Sequence, residues 1–292
     1  MFDFFVPVYY NGFVDGGNPI SSLKNQTRKI KMKIDLKAKR ALVGGSSKGL
    51  GLAVAKQLAC SGAQVTLMAR DESKLKNIVN ELNNSTSLTH NYLIVDFNDF
   101  KSFKNIINDF FSKNAIDILV NNTQGPPAGD VLNVDINDYQ NAFDLLFKNI
   151  VYTTMLAIKN MHKNKWGRIV NIASISVKEP LSYLALSNTL RSSVIAWAKT
   201  LASDVAKDHI TVNNILTGYF DTERIQQLNS EKSKKLNISE DKVLEAMKDQ
   251  VPMKRIGNPE EFGYLASFLS SEKSSYITGA NIPIDGGLLK SI

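Results

Sequence analysis

A cluster of glycines between an apolar run and an amphipathic stretch constrains this chain more than any other feature. It reads Val43-Gly44-Gly45-Ser46-Ser47-Lys48-Gly49-Leu50-Gly51-Leu52. The apolar run over 39–43 before it reads as a buried strand. Beyond it, Leu50, Val54 and Leu58 recur at helical spacing. Glycines at a strand-to-helix turn let the backbone approach a ligand closely. The helix start also offers free N–H groups and the positive end of its dipole. Gly45, Ser47, Lys48, Gly49, Leu50 and Gly51 are therefore candidates for cradling a dinucleotide pyrophosphate.

Strand and helix patterns then alternate. Strands are expected at 64–69, 92–95, 116–120, 168–172, 210–216 and near 281–284, with helices between them, two of them long (137–164 and 183–207). Repeated βα units with apolar, β-branched strands predict an α/β fold: a single Rossmann-type, doubly wound parallel sheet of about seven strands with helices on both faces. Residues 34–292 are expected to form that domain, in which 219–250 is polar and charged with helical content. Residues 1–33 show no periodicity and read as an extension; Met32 would make a natural start for the folded part.

The net charge is +7, and the stretch 24–40 carries the surplus. Lys24, Arg28, Lys29, Lys31, Lys33, Lys37, Lys39 and Arg40 stand there against Asp35 alone. No aromatic residue is interleaved to stack on bases, so a solvated leader is favoured over a nucleic-acid or membrane arm. The single cysteine, Cys60, excludes an internal disulfide framework and is expected to be buried on the first helix. No apolar stretch reaches the roughly 20 residues of a membrane span, and the start does not read as a signal peptide. A cytoplasmic protein with no metal site is expected.

From about 34 to 287 the chain resembles the short-chain dehydrogenase/reductase family, in particular its β-ketoacyl-ACP-reductase-like branch. The resemblance rests on motifs in order: the glycine turn, Asn121-Asn122-Thr123-Gln124, the strand ending in Ser174, Pro252-Met253-Lys254-Arg255-Ile256-Gly257, and Asp285-Gly286-Gly287. It implies that Asp96 meets adenine, that Asn122 lies in the cofactor site, that the substrate is a small molecule, and that the chain forms a homodimer or homotetramer through the two long helices. The family's acid at the end of the second strand is replaced by Ala69-Arg70. Arg70 and Lys48 could together neutralise a 2′-phosphate, which favours NADP(H) over NAD(H).

The family's chemistry needs a tyrosine to protonate the developing alkoxide and a lysine to make that tyrosine acidic. Ser174 matches the family serine. The tyrosine position falls on Leu184, the lysine position on Asn188, and the relay asparagine on Leu146, with Asn149 three residues on. Tyr183, adjacent to the expected place, and Lys178 are the candidate replacements. Two readings follow: an NADP(H)-dependent oxidoreductase acting on a carbonyl/alcohol pair, with a 3-oxoacyl thioester suggested by the branch, or a nucleotide-binding sensor without turnover.

Overall fold

The apolar runs become strands and the amphipathic stretches become helices. A computed structural model describes residues 33–291. The expected extension, all but Lys33, lies outside the described residues, as do Met32 and the basic residues Lys24, Arg28, Lys29 and Lys31. The strands are β1 (Arg40–Gly44), β2 (Gln64–Ala69), β3 (Asn91–Ile94), β4 (Ile118–Asn121), β5 (Gly167–Ser174), β6 (Ile210–Thr217) and β7 (Asn281–Ile284). All seven run parallel in the order β3-β2-β1-β4-β5-β6-β7. The helices are α1 (Gly49–Cys60), α2 (Glu72–Ser85), α3 (Phe100–Lys113), α4 (Ile136–Phe143), α5 (Asn149–Asn164), α6 (Ala185–Val205), α7 (Glu223–Leu236), α8 (Glu240–Gln250) and α9 (Pro259–Leu269).

Alternation along each strand feeds two cores. Val43, Val65, Val120 and Val170 pack with Val54, Leu58, Leu75 and Phe262 on one side. Leu42, Leu119, Ile169 and Val212 pack with Phe103, Ile107, Ile158 and Leu190 on the other. The sheet is also pinned by a row of amides that sequence periodicity does not reveal. Asn121, Asn171, Asn214 and Asn281 stand in register on β4 to β7. Asn121 Nδ2 donates to Asn171 Oδ1 (2.8 Å), Asn171 Nδ2 to Asn214 Oδ1 (2.8 Å), and Asn214 Nδ2 to Asn281 Oδ1 (2.7 Å). A one-residue slip would break every link and leave buried amides unpaired.

Three local expectations change. Cys60 is exposed, because it is the last residue of α1 and falls off the face carrying Val54, Ala55, Leu58 and Ala59. The long helix expected over 137–164 contains a π-helical segment, Asp144–Lys148, between α4 and α5. Just past it Asn149 is buried, with Nδ2 donating to Phe97 O at 2.7 Å. The last two members of the basic run serve the fold. The Lys39 ammonium lies 3.5 Å from the Trp166 ring centroid, and Arg40 pairs with Asp117.

Candidate active site

The strand order reverses between β1 and β4, which opens a crevice at their C-terminal ends. The glycine turn forms one wall. A Cβ on Gly44 would sit 2.2 Å from the Asn122 carbonyl oxygen, and one on Gly51 would sit 2.3 Å from that of Gly45. The backbone can approach this closely only because no side chain intervenes. Asn122 holds the turn from the far wall, its Nδ2 donating to Gly44 O (3.1 Å) and Gly45 O (3.3 Å). Ser46, which sequence reasoning passed over, ties the turn to β2: its hydroxyl donates to Val43 O and accepts from Met68 N, both at 2.9 Å. At the start of α1, Lys48 provides no side-chain cap, so the first-turn N–H groups around Gly49, Leu50 and Gly51 face the crevice end of the helix. This cradle fits a dinucleotide pyrophosphate.

The residues expected around the adenosine end are placed as follows. Arg70 is exposed just past β2. Lys48 is not free beside it: its ammonium pairs with Glu223 at the start of α7, which holds that carboxyl below its usual range. A 2′-phosphate would therefore compete with Glu223 for Lys48. Asp96 follows β3, and its Oδ1 accepts from Asn98 N (2.9 Å) and Asn98 Nδ2 (3.1 Å).

At the other end of the crevice Ser174 closes β5, in register with Thr217 at the end of β6. Its Oγ accepts from Ser176 N at 3.1 Å, which leaves the hydroxyl proton for another partner. Tyr183 is not on a helix at all. Leu184 is the N-cap of α6, and Tyr183 lies in the turn before it. That turn is zipped to the loop after β4, with Gly129 N donating to Tyr183 O (2.9 Å) and Ala185 N donating to Gly129 O (3.0 Å). The Tyr183 phenol meets that of Tyr219, just beyond β6. The Tyr219 hydroxyl donates to Gln250 Oε1 at 3.5 Å. Burial pushes the Tyr183 hydroxyl up, and the neighbouring Tyr219 hydroxyl partly opposes this. Tyr219 is pushed up to about 12 by burial and by Tyr183 beside it.

The expected pairing of Tyr183 with Lys178 is not assembled. Lys178 is exposed, and among the described residues no hydrogen bond joins it to Tyr183. Glu179, next to Lys178, accepts from Lys290 N and Ser291 N (both 2.8 Å), which ties down the C-terminal segment. Asn188, at the expected lysine position, donates from Nδ2 to Leu181 O (2.8 Å) and so braces the Tyr183 turn, while its Oδ1 is buried without a protein partner.

One further residue escaped the sequence reading. Arg191 lies three residues after Asn188 and seven after Leu184, on the same helix face. It sinks against β5, with Nη1 donating to Ile172 O (2.6 Å) and Nε to Ser187 Oγ (3.2 Å). Burial, and then the charge of Arg224, push it down to about 10. Arg224, on α7, donates from Nη2 to Pro126 O (3.1 Å) and lines a cavity of about 510 Å³ with Gln124, Pro126 and Leu145. The available signal was a charge on a face otherwise made of Leu190, Val194 and Ala198.

Comparison with known proteins agrees with this geometry. The family model for enoyl-(acyl carrier protein) reductase matches residues 45–289. The NADPH-dependent reductase BacG of Bacillus subtilis (strain 168) is 32% identical over 256 residues, covering 86% of this chain and 98% of BacG. The 3-oxoacyl-[acyl-carrier-protein] reductase FabG of Aquifex aeolicus (strain VF5) is 28% identical over 258 residues, covering 88% of this chain and all 100% of FabG. Among solved structures, L-sorbose reductase from Gluconobacter frateurii, complexed with NADPH and L-sorbose, superposes with a TM-score of 0.84 at 29% identity, covering 89% of this chain and 100% of that one. With its glycine cradle, reversed strand order and serine-ended fifth strand, this chain belongs to the short-chain dehydrogenase/reductase family.

Proposed function

We propose that this protein is an NADPH-dependent reductase of a small carbonyl compound. One observation carries the reading. A glycine cradle follows β1, and Ser174 closes β5 at the same C-terminal edge of the sheet, where Tyr219 lies just beyond β6 and Tyr183 in the turn paired with Gly129. The cradle residues Gly45, Ser47, Gly49, Leu50 and Gly51 would hold the pyrophosphate, Arg70 and Lys48 the 2′-phosphate, Asp96 the adenine, and Asn122 the turn itself. Bound NADPH supplies the hydride.

The chain's own groups then orient the carbonyl and deliver a proton. Ser174 donates its free hydroxyl proton to the carbonyl oxygen and fixes its position. Tyr183 is the proton source for the developing alkoxide. A phenol of raised pKa is fully protonated at neutral pH, and the Tyr219 hydroxyl, turned from Gln250, would donate to the phenolate left behind. This device differs from a lysine-activated tyrosine, since a neutral donor replaces a cation. Lys178, exposed and unpaired with Tyr183, takes no part in this device. A homodimer or homotetramer through the α4–α5 and α6 faces is part of the proposal. Phe143 (40% exposed) and Met155 (51% exposed) support it, and sedimentation would measure it.

The second reading, a nucleotide sensor without turnover, is favoured by Leu184 and Asn188. NADPH binding by fluorescence, followed by NADPH oxidation with a carbonyl panel that includes 3-oxoacyl thioesters, separates the two. Binding with turnover supports the reductase. Binding without turnover on the whole panel supports the sensor. No binding of NADPH removes both.

A further inference from the structure

Three consecutive residues at the start of α7 bridge the crevice from one wall to the other. Thr222, the N-cap of α7, packs beside the cradle: a Cβ on Gly49 would lie 3.6 Å from its Cγ2. Glu223 pairs with Lys48 of the glycine turn, Oε2 to Nζ, at 2.5 Å. Arg224 reaches the opposite wall. Its Nη2 donates to Pro126 O (3.1 Å), and a Cβ on Gly125 would lie 3.7 Å from its Nε. The rest of α7 adds little apolar grip, since Asn229 is the one buried residue among its 14. Gln227 and Glu231 of this helix face the loop after β4 across the cavity of about 510 Å³. The hold of α7 on the crevice is therefore mainly polar, and polar contacts can be exchanged for those of an incoming ligand.

Glu223 occupies the ammonium on which the 2′-phosphate reading relies. The other acids near this end have different partners. Asp71 caps α2 by accepting from Lys74 N (3.0 Å), and Glu72 accepts from the Tyr92 hydroxyl (3.4 Å). Asp221 accepts from Gln226 Nε2 (3.2 Å), and Glu231 from Gln227 Nε2 (2.9 Å). Among the described residues Glu223 is the carboxylate that Lys48 meets. The Lys48 and Glu223 side chains are 57% and 55% exposed, so the pair can open without stranding a buried charge. A phosphate monoester carries about −1.5 to −2 charges at neutral pH, more than a carboxylate, and is the stronger partner for an ammonium.

We propose that Glu223 is a built-in competitor for the 2′-phosphate of NADP(H). In the free protein it latches residues 222–224 to Lys48 as a strap across the crevice. The 2′-phosphate displaces it and frees the start of α7 from the cradle wall. NAD(H), which carries a hydroxyl at that place, cannot make the exchange and leaves the latch closed. The latch thus lowers affinity for NADP(H) and makes release of α7 conditional on the 2′-phosphate. This rests on the reading that Lys48 meets the 2′-phosphate and goes beyond it.

The test uses the full chain with NADPH, NADH, 2′-phospho-ADP-ribose and ADP-ribose. Calorimetry gives each Kd, and hydrogen exchange reports the first turn of α7. An exposed ion pair shifts an equilibrium by about 1.5- to 5-fold. Glu223→Gln should tighten NADPH and 2′-phospho-ADP-ribose by that factor and leave NADH and ADP-ribose unchanged. Lys48→Met removes the contested cation, so adding Glu223→Gln to it should change no Kd. Tightening that persists in the double variant would mean plain repulsion of the phosphate by Glu223, and overturns the latch. Lys48→Met leaves the sequence of α7 untouched and should speed exchange at its first turn in the free protein by a similar factor. 2′-Phospho-ADP-ribose should do the same in the wild type, and ADP-ribose should not. Unchanged exchange in Lys48→Met, or equal exchange with the two probes, overturns the latch. A wild-type preference for NADPH over NADH, with no change of Kd in Glu223→Gln, overturns the latch and leaves the 2′-phosphate reading intact. Equal affinity of the wild type for NADPH and NADH overturns that reading, and the latch with it.

Discussion

The β1–α1–β4 end of the crevice and the β5–α6 end are built by different means. The first depends on backbone: glycines without room for a Cβ, a helix start without a cap, and one amide from Asn122 across the gap. The second depends on side chains: Ser174, the Tyr183–Tyr219 pair, Asn188 and two arginines. A backbone cradle cannot be altered one residue at a time without collision. Side chains at the second end can be exchanged while the amide row keeps β4 to β7 in register. The first end therefore tolerates less change than the second, where the expected tyrosine and lysine positions are Leu184 and Asn188.

The strongest way to break this contrast is Tyr183→Phe. Removing a general acid typically costs about 10²- to 10⁴-fold, so kcat should fall by that order while NADPH binding stays unchanged. An unaltered kcat would mean that the second end does not carry the proton. The wild-type profile sharpens the same point. The Tyr183 hydroxyl is raised above its ordinary value of 10.0, and the donor is active when protonated. Its contribution should therefore hold through neutral pH and decline only above about pH 10.

Asn171→Ala tests the frame between the two ends. It takes the acceptor from Asn121 Nδ2, which keeps its bond to Thr154 Oγ1, and the donor from Asn214 Oδ1. An unpaired buried group costs about 1–3 kcal/mol, and the melting temperature should drop accordingly by calorimetry. Unchanged stability would show that the row is incidental.

Gly51→Ala addresses the first end. The new Cβ would press on Gly45 O, a backbone atom that cannot swing aside, at a cost of about 1–3 kcal/mol. The Kd for NADPH should rise by about tenfold or more, and wild-type affinity in this variant would undo the cradle argument.

The smallest effect is expected far from both ends. Arg255 grips Glu261 with two 2.7 Å bonds and lowers its carboxyl to about 2 from 4.5. A depressed carboxyl stabilises the fold above the unfolded value and loses that stability as pH falls from about 4.5 towards 2. Exposed pairs are worth about 0.2–1 kcal/mol, so Glu261→Gln should shift acid unfolding only slightly in a denaturation series.

Periodicity made the strands and helices legible because burial on one face leaves a repeating trace in the sequence. It placed the glycine turn at a strand end, while Asn122 and Ser174 were legible only through the family resemblance. It misjudged Cys60, which sits one residue beyond the apolar face of α1. It could not resolve Tyr183, since the start of α6 depends on the pairing of Gly129 with the turn and not on any local pattern. Nor could it find Arg191, whose guanidinium reaches Ile172 O nineteen residues back along the chain.

The sequence by itself determined the parallel sheet and the glycine cradle. These follow from local order: residue type, spacing and alternation. Only the tertiary structure decided that Lys48 faces Glu223, that Glu179 rather than Lys178 meets the C-terminal segment, that four asparagines join across strands, and that Arg191 folds back onto β5. Those outcomes depend on which segments meet after the chain has folded, and distance in space is not written in distance along the chain.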